Sequence, residues 1–98
     1  MITSLQNPAI KNIMKLSKIK ERKEQQLFVS EGARELYLAL QSGYSVKAVY
    51  VCPEMLDKSK YPDVLNTVPE EILFTISQGV FAKIAYRENS DGIVALLQ

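Results

Sequence analysis

Four short runs rich in apolar and β-branched residues, near 27–30, 46–52, 72–76 and 92–97, alternate with segments that carry helix-start signals. This alternation constrains the fold more than any other feature of the chain. Strands separated by helices favour a mostly parallel sheet covered by helices on both faces. The expected fold class is therefore α/β, built as a three-layer α/β/α sandwich.

The local signals are as follows. Asn7 can cap a first helix, and Pro8 is tolerated at its first position. Ile10, Ile13 and Met14 recur at helical spacing, which predicts a helix over about 8–17. Beyond it a basic stretch, looser or still helical, runs to about 25. Ser30 is the candidate cap of the next helix, with Glu31 near its positive end. Ala33, Leu36, Tyr37 and Leu40 mark that helix's buried face, and Gly43 ends it. In residues 46–52 both alternating sets are mostly apolar, which fits a strand covered on both sides. Pro53, Pro62 and Pro69 leave room for one or two short helices. Ser77 caps a helix holding Val80, Phe81, Ile84 and Ala85. Asn89-Ser90-Asp91-Gly92 is a turn before the last strand.

The chain has 98 residues, the size of one domain, without an internal repeat or a low-complexity segment. No apolar run approaches the roughly 18–20 residues needed to cross a bilayer. Met1-Ile2-Thr3-Ser4 lacks the layout of a signal peptide. Cys52 is the single cysteine, which excludes an internal disulfide and a cysteine-rich metal site. These features fit a cytoplasmic protein with no membrane partner. The sequence stops directly after an apolar strand, as a longer protein divided at a domain boundary would, and as a small protein can.

Several chemistries are excluded. The chain has no histidine, which removes the usual general base near neutral pH and the commonest metal ligand. Gly32, Gly43, Gly79 and Gly92 are its only glycines, so neither a dinucleotide fingerprint nor a P-loop can be written. Cys52 lies in a strand pattern and reads as a core thiol. Glu70-Glu71 reads as a solvated turn. The tyrosines are scattered over core and rim positions and form no evident base-stacking platform.

Charge is distributed unevenly. Residues 1–23 carry six bases and one acid, and residues 24–98 carry six bases and ten acids, so a net charge of +1 hides a basic arm on an acidic body. Lys11, Lys15, Lys18 and Arg22 would align on one face if the helix continued, with Lys20, Lys23 and Arg34 extending it. Such a face attracts nucleic-acid phosphates, although a solvated helix face has the same pattern. In Phe28-Val29-Ser30-Glu31-Gly32-Ala33-Arg34 a strand runs straight into a helix. Gly32 at the opening turn either lets a ligand backbone approach or serves packing. Arg34 either grips a phosphate with two hydrogen bonds or pairs with Glu31.

Taken together, Ile2-Thr3-Ser4-Leu5-Gln6-Asn7-Pro8-Ala9-Ile10-Lys11, Lys15-Leu16, Lys20, Arg22, the segment Phe28 to Arg34 and the closing Gly92-Ile93-Val94-Ala95 resemble the SpoU/TrmH-type RNA 2′-O-ribose methyltransferases. The likeness covers essentially the whole chain. It corresponds to the family's N-terminal substrate-binding domain, which resembles ribosomal proteins that bind kink-turn RNA. The resemblance implies a basic helical arm over 1–25 and an α/β body over 26–98 that recruit ribosomal or transfer RNA. In that family S-adenosylmethionine binds in a knotted C-terminal SPOUT domain, which also supplies the dimer contacts and the catalytic arginine and asparagine. None of those motifs is present. The implied parent is a homodimeric enzyme, while these residues alone are expected to be monomeric, with no catalytic residue, cofactor or metal of their own.

The family's RNA-binding residues carry over onto Asn7, Lys11, Lys20, Arg22, Glu31, Gly32 and Arg34. The basic stretch adds Lys15, Lys18 and Lys23. Asp91 stands where the resemblance leads one to expect Gln, and no RNA role is assigned to it. Two other readings remain open: a stand-alone kink-turn-type RNA-binding protein without enzymatic function, and a protein-interaction domain whose arm is only solvated.

Overall fold

A computed structural model describes residues 1–57, 59, 63–86 and 90–98. Asn7 starts the first helix as its sequence signals: its side chain accepts from the amides of Ala9 and Ile10, and helix α1 spans Pro8–Lys15. The helix does not continue into the basic stretch. In an uninterrupted helix the Leu16 carbonyl would accept from the amide four residues on. Here Arg22 Nη1 donates to it at 2.8 Å. The Ser17 hydroxyl donates to the Met14 carbonyl at 2.9 Å, competing with the helical ladder. Lys18 is extended, and a second helix α2 runs over Ile19–Gln25. Reciprocal hydrogen bonds between the Asn12 and Gln25 amides, 2.9 and 2.8 Å, fasten the two helices into a hairpin.

Strand β1 (Phe28–Glu31) follows, then α3 (Ala33–Gln41), β2 (Val46–Val51), β3 (Leu73–Thr75), α4 (Gln78–Ile84) and β4 (Ile93–Leu97). Among the described residues between β2 and β3 lie three short turns of 3-10 helix, Pro53–Met55, Val64–Thr67 and Glu70–Ile72. The expected turn at 89–92 lies partly outside the described residues. Ser77 caps α4 as expected, accepting from the Val80 amide. Ser30 does not cap α3; it lies within β1, and α3 begins after Gly32. The register of α3's buried face moves accordingly: Ala33, Leu36 and Ala39 are buried, Leu40 is half-buried, and Tyr37 is exposed.

The sheet is mixed, with strand order β1-β4-β2-β3, and this corrects the expectation of a mostly parallel sheet. β2 and β3 are parallel, whereas β4 is antiparallel to both of its neighbours, β1 and β2. The first three strands do point the same way, as alternation with helices requires. The exception is β4, whose first residue, Ile93, lies opposite Val51, the last residue of β2. With seven residues, α4 covers only about 10 Å, half of the roughly 20 Å of β2. The chain re-enters the sheet at the end where it left β2 and runs back between β1 and β2.

Alternation along β2 separates two buried clusters. Ala48, Tyr50 and Cys52 pack with Ile10 and Ile13 of α1 and Val80, Phe81 and Ile84 of α4. Val49 and Val51 pack with Ala33, Leu36 and Ala39 of α3. Helices therefore cover both faces, α1 and α4 on one and α3 on the other. Beyond β3, Ile2 forms a parallel bridge with Ile76, so the N-terminal residues cover that side of the sheet. β1 is the opposite edge strand, and the α1–α2 hairpin leads into it.

Candidate nucleic-acid interface

The buried side of α1 is Ile10 and Ile13, followed by Leu16, which leaves Lys11 and Lys15 exposed together one turn apart. In and before α2, Lys18, Lys20 and Lys23 are exposed as well. Lys20 stands 4.0 Å from Glu24, an exposed pair that contributes little to stability. The break at Leu16–Lys18 means that Lys11, Lys15, Lys18 and Arg22 do not form the single stripe of a continuous helix. They lie instead on two short helices folded against each other.

Arg22 is half-buried because its guanidinium holds the α1 terminus through Leu16. It borders a hollow of about 520 Å³ between the helix hairpin and edge strand β1, together with Leu16, Phe28, Val29, Glu31 and Tyr86. Glu31 is 8% exposed and its Oε1 accepts from the Tyr86 amide. Tyr86 itself is 69% exposed at the rim. Tyr50, by contrast, is buried and stacked on Phe74.

The remaining sequence candidates divide by location. Arg34 is exposed on the first turn of α3, on the face of the sheet opposite α1, so the arm and Arg34 do not share one helix-packed surface. Asn7 is engaged as the α1 cap. Gly32 is buried with φ of 100°, a left-handed conformation that favours glycine. Its amide donates to the Ile93 carbonyl at 2.8 Å, and the Ala33 amide donates to Asp91 Oδ2 at 2.9 Å. The amides of Gly32 and Ala33 at the opening of α3 are thus satisfied from within the protein.

Two residues carry more than their sequence context signals. Asp91 stands out in the sequence only as a departure from the expected Gln, yet it caps α3. Tyr86 follows the apolar stripe of α4 and precedes Arg87 in sequence, and an aromatic beside a cation is the signal that would mark it. Cys52 is fully buried, and burial pushes its thiol up from its ordinary value, with Glu54 adding in the same direction and hydrogen bonds from the Met55 and Glu54 backbone opposing. Glu70 and Glu71 are exposed on a 3-10 turn. Among the described residues no acid, cysteine and histidine cluster could hold a metal ion, and no helix is long and apolar enough to cross a membrane.

Comparison with known proteins bears on this arrangement. The sequence model of the MRM3-like substrate binding domain matches residues 7–95. An uncharacterized tRNA/rRNA methyltransferase of Synechocystis is 33% identical over 98 residues, 98% of this chain and 35% of that protein. The crystal structure of an RNA 2′-O ribose methyltransferase is similar with a TM-score of 0.86 and 34% identity, covering 99% of this chain and 36% of the other. An rRNA methyltransferase from Sinorhizobium meliloti is similar with a TM-score of 0.73 and 25% identity, covering 99% and 36%. The chain spans about a third of the length of these relatives.

Proposed function

This chain belongs to the MRM3-like substrate binding domains of SpoU-family RNA methyltransferases, and from that premise we propose that it holds a ribosomal or transfer RNA for 2′-O-ribose methylation by a longer, homodimeric cytoplasmic protein. Methyl transfer itself is assigned to residues outside this chain, where S-adenosylmethionine binds; a solved rRNA methyltransferase of Sinorhizobium meliloti carries that cofactor. The body is read as a three-layer domain of the kind that binds kink-turn RNA.

The observation that carries the reading is the concentration of exposed lysines on the α1–α2 hairpin, in a segment with six bases and one acid. Lys11, Lys15, Lys18, Lys20 and Lys23 neutralise phosphates and release counterions. Arg22 and Arg34 add guanidinium contacts, which can grip a phosphate with two hydrogen bonds. Asn7, Glu31 and Gly32 act by holding these cations in place: Asn7 starts α1, Gly32 starts α3, and Glu31 anchors the segment at Tyr86.

The test uses the full-length protein. Replacing Lys11, Lys15, Lys18 and Lys23 with Ala should lower RNA affinity and methyl transfer at limiting RNA, with S-adenosylmethionine affinity unchanged. Unchanged RNA affinity would refute the assignment.

A further inference from the structure

We infer that the hollow between the α1–α2 hairpin and edge strand β1 receives a single unpaired RNA nucleotide, whose base stacks on Tyr86 and whose phosphate meets Arg22. The inference rests on the RNA-binding reading above and deepens it by adding a site for one base.

Three features meet at this place. The first is size and lining: about 520 Å³, walled by Leu16, Phe28 and Val29, falls within the range of roughly 300–1,000 Å³ that holds small organic ligands. The second is an uncovered aromatic ring. Tyr86 is 69% exposed, and its backbone amide donates to the buried Glu31 side chain, which anchors the backbone of this residue at the rim of the hollow. Exposed aromatic rings stack unpaired bases, irrespective of base identity. The third is a cation that is already ordered. Arg22 Nη1 is held by the Leu16 carbonyl at 2.8 Å, and among the described residues this is its hydrogen-bond acceptor. Nε and Nη2 remain for a phosphate, and little side-chain entropy is left to lose on binding.

Charge selects the occupant. The acid on its lining, Glu31, is buried and engaged by the Tyr86 amide, and the hollow opens beside a segment of six bases and one acid, which favours a polyanion over a neutral apolar peptide. A base within a duplex is stacked on both faces and cannot enter. The occupant is therefore a nucleotide from a single strand, loop or bulge.

The test compares fluorescence anisotropy of a labelled short single-stranded RNA and a blunt duplex of the same length, on the full-length protein, across a salt series. Removing one base-stacking partner should weaken binding on the order of tenfold. Tyr86→Ala should show that loss for the single strand, with the salt slope and duplex affinity unchanged, and Tyr86→Phe should bind like the wild type. The ring is exposed, so these variants should fold, and a thermal melt checks it. If Tyr86→Ala binds the single strand as the wild type does, or loses single strand and duplex equally, the inference is overturned while RNA binding stands. If the wild-type protein binds neither RNA, both this inference and the proposed function fall.

Discussion

Asp91 Oδ2 accepts a hydrogen bond from the Ala33 amide at 2.9 Å, joining the residues just before β4 to the first turn of α3 across 58 residues of chain. The first amides of any helix lack partners within it, and here one of them is satisfied from the far end of the sequence. Asp91 therefore ties the last strand to the helix on one face of the sheet. Loss of a capping side chain costs about 1–2 kcal/mol. Asp91→Ala should lower unfolding free energy by that amount in a urea titration, and Asp91→Asn, which keeps an acceptor oxygen, should recover much of it. Equal stability of all three would show that the bond contributes nothing.

The distance of that cap along the chain explains why it is not legible in the sequence. Asn7 and Ser77 are readable because each caps the helix that begins next to it. Ser30 has the same local signature before α3 but serves in a strand, since the competing acceptor sits 58 residues away from Ala33. The four strands and the two-sided burial of β2 follow from runs of apolar residues and their alternation. The direction of β4 does not, because it depends on the end of the sheet at which the chain re-enters rather than on any pattern within β4 itself. Likewise, the charges of the arm are plain in the sequence. Its division into two helices is not, because the break depends on Arg22 and Ser17 taking carbonyls from the helical ladder. The Arg22–Tyr86 hollow brings together residues from opposite ends of the chain and has no sequence signature.

Gly92 is required for a close approach and not only for its conformation. A Cβ there would lie 2.9 Å from both Leu56 N and Met55 C, at a φ of +85°. Gly43 has a similar φ of +82° with nothing within 4 Å. Left-handed backbone costs a non-glycine residue roughly 1–2 kcal/mol. Gly43→Ala should lose about that much stability, and Gly92→Ala clearly more, because backbone atoms must also move. Equal losses in chemical unfolding would contradict the steric account.

Burial holds the Cys52 thiol and the Tyr50 hydroxyl above their ordinary values. As pH rises, the unfolded chain releases these protons first, so the folded state is progressively disfavoured. Stability should be level through neutrality and fall above about pH 8.5, the ordinary thiol range, with Tyr50 contributing from about pH 10. Urea unfolding from neutrality up to the ordinary tyrosine range should show the fall, and Cys52→Ala should flatten its first part. The native protein should also react slowly with thiol reagents. Rapid labelling in mildly alkaline buffer, or stability that rises with pH, would show that Cys52 is not held in the core.

RNA recruitment by the exposed lysines of the α1–α2 hairpin is tested most directly by the salt dependence of RNA affinity. The dissociation constant of one RNA should be measured over a range of salt concentrations. The full-length wild type is compared with the combined variant Lys11→Ala, Lys15→Ala, Lys18→Ala and Lys23→Ala, all at exposed positions. Each phosphate left without its lysine should reduce the slope of log affinity against log salt by about 0.7 for a single strand. The variant should show a shallower slope and weaker binding at low salt, to a similar degree for unrelated RNA sequences. An unchanged slope and affinity would mean that the arm is a solvated face, and would contradict it.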